Sequence, residues 1–66
     1  MSIIINGEPS DVAPGITVAG LLEELDVPAR GVAVAVDAEV VPRGSWATFA
    51  VADGARVEVL IAVQGG

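Results

Sequence analysis

The side chains that most often do chemistry are missing from this 66-residue chain, which holds no cysteine and no histidine. Without cysteine there is no thiol to act as nucleophile or redox centre and nothing to form a disulfide. Without histidine the commonest general base and the commonest metal ligand are absent. The cations are three arginines, Arg30, Arg43 and Arg56, and there is no lysine to offer an amine for acylation. Carboxylates remain. Nine Asp and Glu are spread along the chain without the spacing of a calcium loop, so no metal site is expected. One more carboxylate closes the terminal "IAVQGG" at Gly66. Gly65 and Gly66 have nothing to bury and lose the most entropy on ordering, so residues 64–66 are expected to form a mobile tail. At 8 Gly in 66 residues, a chance terminal pair has a likelihood of roughly one to two per cent. Composition leaves both readings of the pair open, a frayed end or a tail selected for its lack of side chains.

The elements that would carry such a tail form one small domain, residues 1–66. A chain of this size buries only ~60% of the surface its unfolded form exposes, so its core must be efficient. A 53% hydrophobic content, rich in Val, Ile and Ala, meets that need. The net charge of −6 disfavours nucleic acid and anionic membrane surfaces, both of which require a basic patch. It suits either solubility or docking to a partner with a basic face. No apolar run approaches the ~20 residues of a membrane span, and "MSIII" lacks the basic start of a signal peptide. Cytoplasmic residence is expected.

Ser2 to Asn6 is short and β-branched, and Asn6-Gly7 is a hairpin signal because both residues tolerate positive φ. A second strand is expected around Asp11 to Ala13, after Pro9, with Pro14-Gly15 ending it. Thr17 is a candidate N-cap for a helix whose apolar face reads Val18, Leu21, Leu22, Leu25, with Pro28 as its stop. "VAVAVD" alternates with period two from Val32 to Asp37, and a short strand follows at Val40-Val41. After an Asp53-Gly54 turn, Val57, Val59, Ile61 and Val63 share one face of a last strand, while Glu58, Leu60 and Ala62 share the other. The order β-β-α-β-(short β)-β predicts an α+β fold, a mixed sheet with one main helix packed on one face. Val18, Leu21, Leu22, Leu25, Val34, Val36, Val57, Val59 and Ile61 are the predicted core.

The element order, the size and the motifs "NGE" (Asn6 to Glu8), "TVAGLLEEL" (Thr17 to Leu25), "VAVAVDAEVVPRGSW" (Val32 to Trp46) and "DGARVEVLIAVQGG" (Asp53 to Gly66) together resemble the ThiS family. These are sulfur carriers of thiamine biosynthesis with the ubiquitin-like β-grasp fold. Asp37 stands where the family often has Asn, and Ala55 where an acidic residue is common. The resemblance implies that the chain is no enzyme but a carrier acted on by others, expected to be a monomer when free. An E1-like, ThiF-like adenylyltransferase would use ATP to adenylate the Gly66 carboxylate. A sulfur-donating enzyme would supply sulfur to give a thiocarboxylate, and a ThiG-like thiazole synthase would consume it. The carrier itself would bind no cofactor. Gln64 and Gly65 would thread the partner's active site, where a Cβ on Gly65 or Gly66 would clash with a narrow channel.

Arg43, Trp46, Leu60 and Ala62 are candidate partner contacts. For Trp46, and for Phe49, packing is the leading reading, and for Arg43 a solvated surface charge. The flat face of Ala33, Ala35, Leu60 and Ala62 reads as an exposed docking surface. Two rivals share the Gly-Gly end: the small subunit of molybdopterin synthase and a ubiquitin-like modifier joined to target lysines. A bare interaction module with an irrelevant tail is a third.

Overall fold

Ile5 and Glu8 face each other across a two-residue turn, Asn6 at φ 48° and Gly7 at φ 84°. Both central residues have positive φ, the type I′ geometry whose twist matches that of flanking strands. The computed structural model describes residues 1–28 and 30–62. In it the turn joins β1 (Ser2–Ile5) to β2 (Glu8–Asp11). The second strand therefore begins before Pro9, earlier than the expected Asp11 to Ala13. Proline is tolerated because β2 is an edge strand. Val12 N–H donates to Met1 C=O at 2.8 Å, which makes Ile3↔Ser10 and Ile5↔Glu8 the bonded pairs and leaves Pro9 at a non-bonded site.

Helix α1 (Val18–Glu24) opens as expected at Thr17, whose hydroxyl accepts from Gly20 N–H at 3.1 Å. Its end differs from the expectation. Asp26 adopts φ 57°, Asp26 N–H donates to Glu23 C=O at 3.1 Å, and Val27 N–H donates to Leu22 C=O at 3.0 Å. This is a Schellman cap. The helix is finished before Pro28, which is not its stop.

The remaining strands are β3 (Val32–Val36), β4 (Glu39–Val41) and β5 (Arg56–Ile61), with a 3-10 turn at Arg43–Ser45. They form one five-stranded sheet in the order β2-β1-β5-β3-β4, with β1 and β5 parallel and the other pairs antiparallel. The mixed sheet with one helix is the predicted α+β architecture. Val18, Leu21, Leu22, Val34, Val36, Val57 and Val59 are buried as predicted, joined by Ile3, Ile5, Val41, Trp46 and Val51.

Two predicted core residues are not in it: Leu25 is 40% and Ile61 57% exposed. Both lie on the inward-facing period, but the cover runs out. Leu25 is the C-cap, where the helix stops, and β1 pairs with β5 only as far as Ile5↔Val57. With no further turn of helix and no neighbouring strand on the β1 side among the described residues, the two side chains line a groove of ≈ 300 Å³ instead.

Leu22→Ala, at a site 4% exposed, should cost about 2–5 kcal/mol in denaturant unfolding, while Leu25→Ala should cost under about 1 kcal/mol. Comparable losses would mean that the helix end is packed after all. The β3–β4 turn offers a converse test. Asp37 and Ala38 close it at φ 50° and 68°, and a left-handed alanine is strained by roughly 1–2 kcal/mol. Ala38→Gly relieves that strain but loosens the unfolded chain, so a net gain of about 0.5–1 kcal/mol is expected as a raised unfolding midpoint.

Candidate functional site

The chain leaves the sheet along β5, the strand that leads toward Gly66, and strand alternation sends successive side chains of its last turn to opposite sides. Leu60, 64% exposed, and Ala62 point to the face away from the helix, where Leu60 lies opposite the exposed Ala33 of β3. Arg43 reaches the same place from the 3-10 turn. Arg43, Leu60 and Ala62 thus border one shallow depression of ≈ 340 Å³, together with Gly31 and Ala33. Of the flat sheet face expected from the alternation, Ala33, Leu60 and Ala62 are exposed and Ala35 is half-buried among the described residues.

Trp46 does not join them at the surface. It is 6% exposed, and its indole N–H donates to Val41 C=O at 2.8 Å, the bond a buried Trp needs. The Arg43 guanidinium lies over its ring, 5.6 Å from the centroid. Packing is therefore the role the structure shows for Trp46, with little surface left for a partner. Its place in the core gives the arginine a platform. Phe49 is half-buried against the same core.

Sequence reasoning missed the contribution of Asn6. Its side-chain Oδ1 accepts from Val59 N–H at 2.8 Å and its Nδ2 donates to Val59 C=O at 3.2 Å. Asp37 acts similarly at the other end of β5, accepting from Arg56 N–H at 3.0 Å. Asn6 was legible as a turn former, while Asp37 read as the last residue of a strand and instead lies in the turn after β3; neither pairing with β5 was legible. Among the described residues, no group of three or more Asp or Glu is placed to hold a metal ion. Gln64, Gly65 and Gly66 lie outside the described residues.

The profile of the ThiS family matches residues 3–66. The chain belongs to the ThiS family. It is 38% identical to the sulfur carrier protein ThiS of Escherichia coli (strain K12) over 66 residues, the whole of both chains. It is also 42% identical to a thiazole synthase of Paramagnetospirillum magneticum (strain ATCC 700264 / AMB-1) over 66 residues, where it spans only 20% of that protein's length. The crystal structure of the thiamine biosynthesis protein ThiS from Geobacter metallireducens matches with a TM-score of 0.87 and 38% identity, covering 100% of each chain. A solution structure of a thiamine biosynthesis protein from the same organism matches at 0.83, covering 88% of that chain. The ThiS-family and β-grasp expectations are thereby borne out, and the molybdopterin-synthase and modifier readings are not favoured.

Within this ThiS-family fold the buried core and the open face of the sheet should respond differently to substitution. Trp46→Phe would leave the buried Val41 carbonyl without its donor, a loss of about 1–3 kcal/mol in thermal or denaturant unfolding. Leu60→Ser, on the open face, should stay within about ±0.5 kcal/mol of the parent.

Proposed function

We propose that the chain is a sulfur carrier for thiazole formation in thiamine biosynthesis and that the carboxylate of Gly66 is its reactive group. The observation that carries this reading is that the ThiS-family profile runs through to Gly66. The carboxylate oxygen attacks the α-phosphorus of ATP in an E1-like, ThiF-like partner, pyrophosphate leaves, and an acyl adenylate results. Sulfide (HS⁻) supplied by a donor enzyme then adds to the activated carbonyl carbon, AMP departs and the proton is lost, leaving a thiocarboxylate. A carboxylate is a poor electrophile and its adenylate a good one, so the carrier needs an accessible terminus and no catalytic side chain. A chain without Cys or His meets that requirement, as a substrate of enzymes rather than an enzyme. Dependence on ATP puts the reaction in the cytoplasm.

The thiazole synthase as consumer is supported by the Paramagnetospirillum relative, in which a stretch similar to this chain forms 20% of a protein bearing that name. Docking would use the open face around Leu60, Ala62 and Arg43, with the −6 charge steering the carrier to a basic surface on the partner.

Adding one residue after Gly66 should leave the unfolding midpoint within about ±0.5 kcal/mol of the parent. The same extension moves the carboxylate away from the α-phosphate and should slow ATP–pyrophosphate exchange with the cognate activating enzyme by about 10²-fold or more. Gly65→Ala should likewise keep the fold and slow exchange. An extended protein that exchanged as fast as the parent would remove Gly66 from the reaction. Intact mass of protein taken from its own cell should show oxygen-to-sulfur replacement, whereas lysine-linked adducts would indicate a modifier. Association with the activating enzyme should also slow as salt rises, since steering of exposed charges is screened beyond ~10 Å at 0.1 M. On-rates indifferent to salt would reduce the acidic balance to a solubility device.

A further inference from the structure

Asn6 is the only asparagine of the chain, glycine follows it, and the turn exposes both residues. Asparagine is a thermally labile residue, and a glycine leaves the next peptide nitrogen unshielded. The reaction open to such a pair is a ring closure. The Gly7 nitrogen loses its proton to solvent and bonds to the Asn6 carboxamide carbon. The bond from that carbon to Nδ2 then breaks, and ammonia leaves. Water opens the cyclic imide: addition at the side-chain carbonyl gives aspartate, and addition at the main-chain carbonyl gives isoaspartate.

Asp53-Gly54 is a pair of the same kind, and the structure holds the two differently. Gly54 N–H donates to Ser2 C=O at 2.8 Å, and the Asp53 carboxylate accepts from Ser2 N–H at 3.1 Å, so both reacting groups are tied. At Asn6-Gly7 only the carboxamide is tied. Its Oδ1 accepts from Val59 N–H at 2.8 Å and its Nδ2 donates to Val59 C=O at 3.2 Å. Gly7 N–H makes no hydrogen bond among the described residues, and a Cβ built on Gly7 would meet nothing within 4 Å. The nucleophile is open to solvent while the electrophile is held. Ring closure must swing the carboxamide carbon onto the Gly7 nitrogen, which breaks both bonds to Val59.

We propose that Asn6 is a deamidation site gated by Val59: the closed junction of β1 and β5 suppresses the ring closure, and each local opening there permits it. Neither product restores the closed state. Aspartate sets an acceptor where Nδ2 met the Val59 carbonyl, so two acceptors face each other. Isoaspartate adds a main-chain carbon to the two-residue turn that sets Ile5 opposite Glu8. Ammonia is lost to solvent, so the conversion runs one way and unties the β1–β2 hairpin from Val59. This inference stands apart from the sulfur-carrier reading.

The test incubates the parent protein at one pH and temperature, folded in buffer and unfolded in urea. The fragment holding residue 6 is followed by mass spectrometry and by isoaspartate-specific methylation, and amide exchange at Val59 is measured on the folded sample. Only opened molecules react, so the folded protein should deamidate at least about tenfold more slowly than the unfolded one. That ratio should match the exchange protection of Val59 within about threefold. Leu22→Ala, kept at a temperature where it is folded, leaves the junction untouched and should deamidate at the parent rate. Equal rates in the folded and unfolded protein would show that the bonds to Val59 protect nothing. A ratio departing further from the Val59 protection, in either direction, would place the lock elsewhere. Acceleration in Leu22→Ala in proportion to its lost stability would place the gate in global unfolding, and no conversion at residue 6 in urea would remove the site. Each of these outcomes overturns the inference.

Discussion

β5 is the strand on which the other elements depend, because it is the central strand and joins the β1–β2 hairpin to the β3–β4 hairpin. On one edge it bonds β3 from Val32↔Ile61 to Val36↔Val57, and on the other it bonds β1 at Ile4↔Arg56 and Ile5↔Val57. Without it the sheet would fall into two hairpins, β1–β2 and β3–β4, each marginal in water alone. The strand comes last in the chain, so joining the hairpins brings together the first and last quarters of the sequence. The entropy of closing that long loop is recovered only when the sheet is complete. The turn side chains of Asn6 and Asp37 tie both hairpins to this strand at its two ends.

Burial must supply nearly all of the stability. Among the described residues no charged or polar one is buried, and the ion pair at 3.2 Å between the Met1 ammonium and Asp11 is exposed on the Asp11 side. Such a surface pair contributes little. An excess of six negative charges opposes compaction through self-repulsion. The counterweight is a core of Val, Ile and Leu closed at one end by Trp46, whose indole N–H is satisfied by Val41. That arrangement uses the one tryptophan for volume and leaves the surface free of it.

The alternation of β5 also separates the tasks of the molecule. Val57 and Val59 face the helix and hold the fold, while Leu60 and Ala62 face outward beside Arg43. A sulfur carrier needs no catalytic group of its own, and docking as proposed through Leu60 and Ala62 would leave the residues that face the helix to the fold.

The period-two valines of β3 and β5, the Thr17 cap, the Asn6-Gly7 turn and the absence of Cys and His were all readable from the residues, because each depends on local geometry or composition. They were enough for the element order and the mixed sheet, whereas the family and the proposed reactive terminus came from the resemblance of the quoted motifs and the Gly-Gly end. Periodicity tells which way a side chain points, but not whether anything lies opposite it. Leu25 and Ile61 have the inward period and are exposed because the helix and β1 both stop short of them. Pro9 sits inside a strand because an edge leaves its missing N–H without consequence. The left-handed Ala38 has no propensity to betray it and is imposed by the pairing of β3 with β4. The amide of Asn6 meets Val59 across the whole length of the chain, and only the folded sheet brings those two residues within hydrogen-bonding distance.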